Sequence, residues 1–505
     1  MCDGVFAIVP RQKERFMNWN KEILKNFTKK MIAGHHFVVV SSREPYIHSY
    51  SNQGIEYITP ASGMATAIMP IMTACGGVWI AHGSGEADRD VVDEQDHIAV
   101  PPADPKYTLR RIWLSKEEEE GFYYGYANEG LWPLSHIVYS RPTFREKDWE
   151  MYRRVNEKFC EAVLQELHGK PGFVFIQDYH FALLSRLIKE KRPDVVVAQF
   201  WHIPWPNREA FRVCPHGDEI LDGLLGNDIL GFHLRYHCLN FLDTINHNIE
   251  AIVNHERFSV TRHGRESLIR AFPISIDFDA VSEIARSKET DRRVAEIRRD
   301  FHVRGKLLGV GIDRIDYTKG IIERFTAIDR FLEKYPAYIG KFVFMQLGPI
   351  SRIHIPRYRE YNDAVYHVML EINDKWRIKD WQPIIMKKIH LSLAEVVAYY
   401  RAADMCIVSS IHDGMNLVAK EFVAARVDHD GVLLLSQFTG AARELPEALL
   451  VNPLAVDQFA DQIRNGLEMP AAEKKQRITA MRKNVERNNV FRWAGHIIEE
   501  MKKKR

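Results

Sequence analysis

The chain has no C-x-x-C pair, no long apolar run and no excess of charge of one sign. Its cysteines, Cys2, Cys75, Cys160, Cys214, Cys238 and Cys406, are scattered, and several stand among apolar neighbours. That argues against a disulfide framework and suits a reduced compartment. No stretch has the length and purity of a membrane span. Residues 1–11 carry an acid before a short apolar run and bases after it, which is not the form of a secretory leader. The expectation is a cytoplasmic protein with no membrane partner. Lys and Arg number 69 against 67 Asp and Glu, so bulk charge gives no ground for a nucleic-acid partner. No Cys/His cluster has metal-ligand spacing, and neither a metal nor another cofactor is expected. What remains is ordinary globular composition, 46% hydrophobic and 27% charged over 505 residues, enough for two or three domains.

Short apolar, β-branched runs alternate with helical stretches along most of that length. The runs at 37–40, 78–81, 108–114, 173–176, 195–201, 228–233 and 268–275 read as strands of one doubly wound α/β sheet. A charged helical segment, 279–300, leads to a second series at 307–311, 342–347, 384–389, 405–408 and 432–435. The expected division is an extension at 1–36 with an amphipathic helix at 16–31, one domain at 37–275, a second at 276–484, and a tail at 485–505 that crosses back. Residues 83–96 read as an acidic surface loop and Glu117 to Glu120 as a solvated first helix turn. The aromatic stretch 122–133 suits a sugar face and a core equally in kind, with core the simpler local reading.

The candidate chemistry sits where strands end. After the run 405–408 come an Asp413-Gly414 turn, Met415, and a helix opened by Asn416 and Leu417. This geometry aims N–H groups and the positive helix end at an anion, with Asp413 and Glu421 placed for hydroxyls beside it. An ordinary strand–helix connection has the same local pattern. Arg314 and Lys319 flank the turn after 307–311, and Arg352 follows 342–347; fixed cations there can neutralise a diphosphate leaving group. Asp178, Tyr179 and His202 fall at strand ends of the first series, where open α/β sheets place ligands. His202 is equally readable as a structural histidine. Gly63 opens an apolar helix, with close backbone approach or a plain Ser62 cap as the two readings.

Together, Leu131-Trp132-Pro133, Asp178-Tyr179-His180, His202-Ile203-Pro204-Trp205-Pro206, Arg314-Ile315-Asp316-Tyr317-Thr318-Lys319-Gly320, Ser351-Arg352, the run from Asp413 to Glu421 and Leu435-Ser436-Gln437-Phe438-Thr439-Gly440-Ala441-Ala442 resemble retaining glycosyltransferases of the trehalose-6-phosphate synthase family. The resemblance runs from about 37 to 495. It implies an α/β GT-B fold, two Rossmann-like domains with the site between them and a C-terminal helix crossing back. It implies metal-independent transfer of glucose from a nucleotide-glucose, usually UDP-glucose, to glucose 6-phosphate. By position it makes Arg314 and Lys319 the diphosphate clamp and Glu421 the ribose acceptor. Asp413 and the backbone of Gly414, Met415, Asn416 and Leu417 would hold glucose and phosphate, and Gly63 would lie under the diphosphate. His202 would contact the transferred glucose. Arg43, Tyr123, Tyr179 and Arg352 would take the acceptor phosphate, with Trp132 and Asp178 on its sugar ring. The implied mechanism is front-face attack by the acceptor hydroxyl, with the leaving phosphate as base.

The chain departs from that pattern in places. His412 stands where the family usually has Arg, and Gln177 where it usually has His. Ser41-Ser42-Arg43 and Ser62-Gly63-Met64 replace the usual Ser-Asn-Arg and Gly-Gly-Leu. Arg43-Glu44-Pro45-Tyr46 is more similar to glucosylglycerol-phosphate synthases, which use glycerol 3-phosphate. The alternatives carried are therefore that acceptor, a catalytically silent sugar-phosphate sensor, a pseudo-glycosidic coupling enzyme and a sugar-nucleotide epimerase. A homo-oligomer is left open.

Overall fold

The computed structural model describes residues 19–32, 34–59 and 63–505. The start of the expected helix at 16–31 and the Ser62 cap lie outside the described residues; within them the helix is Lys21–Met31, capped by Asn20.

Two sheets carry the architecture. The first has ten strands. From one edge they are Ile252–Asn254, Ser259–Arg262, Arg265–Ala271, Ile229–Phe232, Val196–Phe200, Gly172–Gln177, His36–Arg43, Val78–His82, Tyr107–Ile112 and His97–Val100. The interior is parallel, and antiparallel strands close both edges. The second sheet has six strands, all parallel: Ile384–Lys387, Phe342–Leu347, Leu307–Ile312, Met405–Val408, Val432–Ser436 and Leu449–Val451. Their central strands are buried end to end, as parallel strands covered by helices on both faces must be.

The chain passes between the sheets twice. The first passage lies between Ala271 and the helix Phe278–Arg286, and the second between the helices Ala471–Arg487 and Val490–Lys503. They are bonded to each other, Val490 N donating to Ile276 O at 2.9 Å. The last helix then packs on the first sheet. Trp493 meets Phe200 edge-on at 5.1 Å and donates its indole N–H to Phe272 O at 3.2 Å. Trp19 lies on Gly495 of this helix, and Asn489 Nδ2 donates to Trp19 O at 2.6 Å.

Several expectations are corrected. The segment 279–300 is two helices, Phe278–Arg286 and Lys288–Asp300, divided at Ser287, whose hydroxyl caps the second. Residues 83–96 are not all surface: Asp88 is fully buried, 2.8 Å from Arg111 Nη2, and Arg111 Nε pairs with Glu44 at 2.8 Å. Of the four glutamates, Glu118 is buried and bound to Lys158 at 2.7 Å. The aromatic stretch is core at Phe122, Tyr126 and Leu131 and cavity wall at Tyr123 and Trp132, and it is wound as a π-helix, Glu119–Leu131. Its wider turn is rare and is found mostly at functional sites.

Candidate active site

The carboxyl ends of both sheets face a cavity of about 920 Å³. All the residues given site roles by the resemblance line it except Gly414. Gly414 stands behind the wall, where a Cβ would meet His202 O at 2.6 Å and the His233 ring at 2.9 Å. Its small size lets the two halves touch.

The wall from the second sheet is built on two turns. Gly320, at φ +61°, ends the turn Tyr317–Lys319 against Ser409 O, a conformation and a contact that leave no room for a side chain. That fixes Lys319, whose ammonium lies 2.5 Å from Asp413 Oδ2. Burial alone would raise the Asp413 carboxyl, but the Lys319 charge holds it well below the ordinary carboxylate range. Burial likewise opposes the Lys319 charge, and Asp413 outweighs it, leaving the ammonium above its usual value. Asn416, at φ +78°, caps the helix Leu417–Ala425 by accepting from Ala419 N, and its amide donates to Asp413 at 3.3 Å. Across the cavity a Cβ on Gly63 would lie 3.3 Å from Leu417 Cδ1. Glu421 accepts from Tyr400 at 3.2 Å, and burial raises its carboxyl.

The facing wall is aromatic and cationic, built from Arg43, Tyr123, Trp132 and Tyr179 of the first half with Arg314 and Arg352 from strand ends of the second. Arg43 donates twice to the Tyr123 hydroxyl, at 2.6 and 3.2 Å. Arg352, at φ +47°, donates to Tyr358 at 2.6 Å and to Tyr179 at 3.3 Å, and lies over the Trp132 ring at 4.3 Å. Arg314 forms no ion pair among the described residues, and its guanidinium is 6.0 Å from the same ring. Burial would push the Tyr123 phenol up, but Arg43, Arg352 and Arg314 hold it down to about 7. Trp132 Nε1 and Arg352 Nε are buried N–H groups with no acceptor among the described residues. Such a surplus of donors and positive charge suits an anionic group bearing hydroxyls. Asp178, at φ +71°, accepts from the backbone N–H of Tyr179 and of His202, each at 3.0 Å, while burial pushes its carboxyl up to about 7.

The model of glycosyltransferase family 20 matches residues 35–503. The chain belongs to glycosyltransferase family 20. Among curated family relatives, a trehalose-6-phosphate synthase of Mycobacterium avium (strain 104) is 34% identical over 475 residues, covering 92% of this chain and 95% of its own. Among solved structures, the E. coli trehalose-6-phosphate protein bound with UDP-2-fluoro glucose superposes with a TM-score of 0.82 at 29% identity, covering 92% of this chain and 99% of its own. The Burkholderia xenovorans alpha,alpha-trehalose-phosphate synthase in complex with glucose-6-phosphate has a TM-score of 0.83 at 27% identity, covering 92% and 100%. This glycosyltransferase has the GT-B fold. Among the described residues no helix is long and apolar enough to cross a membrane.

Of the departures named above, His412 lies at the seam between the halves. His412 does not line the cavity; its Nδ1 donates to His136 O at 2.7 Å. His136 lies one helical turn beyond Trp132, with ring centroids 4.1 Å apart, and its own Nδ1 donates to Trp132 O. That i, i+4 spacing is the signal by which His136 was available to sequence reading. Tyr358 had none: it comes from the helix Pro356–Trp376 and its contact with Arg352 is purely tertiary. Gln177 accepts from His202 Nε2 at 2.9 Å.

Burial holds His136, His202, His233 and His237 down to about 3, and lowers His412 too. Free imidazole titrates near 6.5, so between these values the unfolded chain binds protons that the folded chain refuses. The stability tied to these groups is complete above about pH 6.5 and is lost as pH falls toward 3. Glu44 and Asp178, raised to about 8 and 7, act in the opposite sense, as do the raised carboxyls of Asp277, Asp313, Glu323 and Glu421, but burial lowers His48, His180 and His496 as well, and the histidines outnumber the carboxyls. The urea midpoint is expected to fall between pH 7.5 and 5.5; a midpoint that is flat or rises would show that the imidazoles are not held neutral.

Proposed function

We propose that this glycosyltransferase moves glucose from UDP-glucose to glucose 6-phosphate, forming trehalose 6-phosphate with retention at the anomeric carbon. The observation that carries the reading is the pairing of two charged clusters in one cavity: the Arg43 and Arg352 guanidiniums around Tyr123, and the Lys319–Asp413 pair beside a helix N-terminus, with Arg314 also in the lining. A phosphorylated acceptor and a nucleotide-sugar donor each need one of them. The structures bound with UDP-2-fluoro glucose and with glucose-6-phosphate support the choice of donor and acceptor.

In this reading Lys319 and Arg314 neutralise the leaving diphosphate, Glu421 takes the ribose hydroxyls, and Asp413 with the backbone of 414–417 holds glucose and phosphate. Gly63 gives the diphosphate room, and His202 meets the transferred glucose. Arg43, Tyr123, Tyr179 and Arg352 take the acceptor phosphate, and Trp132 and Asp178 its ring. Catalysis is then orientation plus charge stabilisation, without a carboxylate nucleophile. The division at 37–275, 276–484 and 485–505 belongs to the same proposal and is supported by the two sheets and the returning helix. So does a cytoplasmic location, supported by the scattered cysteines. Glycerol 3-phosphate is not favoured: Glu44, part of the segment that suggested it, turns away from the cavity to Arg111 and Ser84.

The test is a matrix of UDP-, ADP- and GDP-glucose against glucose 6-phosphate and glycerol 3-phosphate, read by nucleotide release. UDP release dependent on glucose 6-phosphate is expected. Release only with glycerol 3-phosphate, or with no pair, overturns the reading.

A further inference from the structure

Gln177 ends the strand Gly172–Gln177, is fully buried, and lines the cavity. Its amide nitrogen faces Phe175 O at 3.5 Å, which turns its oxygen toward His202. An amide oxygen only accepts, so the 2.9 Å contact places a proton on His202 Nε2. The rest of His202 is fixed from the same half. Its N–H donates to Asp178 at 3.0 Å, its carbonyl accepts from His233 Nε2 at 2.9 Å, and its ring stands edge-on to Phe200 at 4.7 Å. Only one freedom of the imidazole is then left, the choice of tautomer, and one side chain makes it.

We propose that Gln177 is a positioning residue that locks His202 in the Nε2–H tautomer, leaving Nδ1 as a standing hydrogen-bond acceptor for the transferred sugar. Burial separately keeps the ring uncharged. A neutral acceptor suits a reacting centre that gains positive character as diphosphate leaves, where an imidazolium would oppose it. A glutamine neither titrates nor exchanges tautomers, so the setting holds at every pH at which the protein is folded. A histidine at this position would have both freedoms.

The proposal rests on the glucosyl-transfer reading, but its first test needs no turnover. The full-length protein, ¹⁵N-labelled at histidine, is compared with Gln177→Leu and with the isosteric Gln177→Glu, the His202 signals being assigned by their loss in His202→Asn. Expected in the unsubstituted chain is a protonated Nε2 and a bare Nδ1 from pH 5.5 to 8.5. Gln177→Leu is expected to mix the tautomers and to lower kcat by about tenfold, the worth of one neutral hydrogen bond, with little change in either KM. Gln177→Glu is expected to bring a titration of His202 into this range and a matching new limb in the pH profile of kcat. An Nδ1–H tautomer in the unsubstituted chain overturns the proposal. So does an unchanged His202 spectrum in the folded variants. Absence of glucosyl transfer in the unsubstituted chain, with the tautomer as stated, counts against the reaction and not against the role of Gln177.

Discussion

Lys319→Ala is expected to lower kcat/KM for UDP-glucose by at least a hundredfold to a thousandfold, the usual cost of about 3–4 kcal/mol for removing one preorganised charge-stabilising group. Two losses combine. On the proposed reading the leaving diphosphate loses the cation beside it, and Asp413 loses the charge that does most to hold it ionised against its burial. Asp413 then takes up a proton more readily, and its bond from Asn416 weakens with it. The damage therefore reaches the helix cap as well as the leaving group. Lys319→Arg is expected to recover little, because a planar fork cannot occupy the 2.5 Å contact made by a compact ammonium. Steady-state nucleotide release checks both variants; near-normal turnover in Lys319→Ala would remove this lysine from the mechanism.

Arg324→Met is expected to have the largest effect on stability. Arg324 is fully buried and joins three strand ends of the second sheet. It binds Asp313 at 2.7 Å, Gln346 at 2.6 Å and Ser409 at 2.9 Å. Removing it strands the Asp313 carboxylate, which burial already disfavours. Breaking a buried pair from one side costs about 3–5 kcal/mol. The double variant Arg324→Met, Asp313→Asn is expected to regain much of this, since no charge is then left unpaired. Urea unfolding followed by circular dichroism measures both. A single variant within 1 kcal/mol of the original chain, taking about 3 kcal/mol as the lower expectation, would show that this network is not structural.

The parts of this molecule that were legible in its sequence are those in which local chemistry and final environment agree. The run Met405–Val408 is apolar because it is buried on both faces, and the helix Leu417–Ala425 begins where Asn416 caps it. The cations that mark the cavity, Arg314, Lys319 and Arg352, follow strands and so arrive together. What could not be read is of three kinds. The edge strands Ile252–Asn254 and Ser259–Arg262 and the hairpin Ile47–Ser51 with Gly54–Ile58 are short and partly exposed, so no apolar run announces them. The π-helix has no pattern of its own, because its aromatics would suit an α-helical core equally. Long-range pairs such as Glu44 with Arg111 or Gln177 with His202 join residues that the chain separates and only the sheet order brings together. The close approach at Gly414 belongs with these: its place in a turn does not announce that a Cβ there would meet the His202 backbone of the other half.

The two passages between the sheets lie side by side and share a hydrogen bond. A single connector would let the halves swivel as well as part. Two connectors pinned together act as a door hinge, with one easy rotation about the line through them and a stiff response to twist. Such a hinge keeps Leu417 against Gly63 and Gly414 against His202 in one register. The precision with which two substrates are aligned is thus set by connectors that themselves reach the cavity, Ile274 being part of its lining.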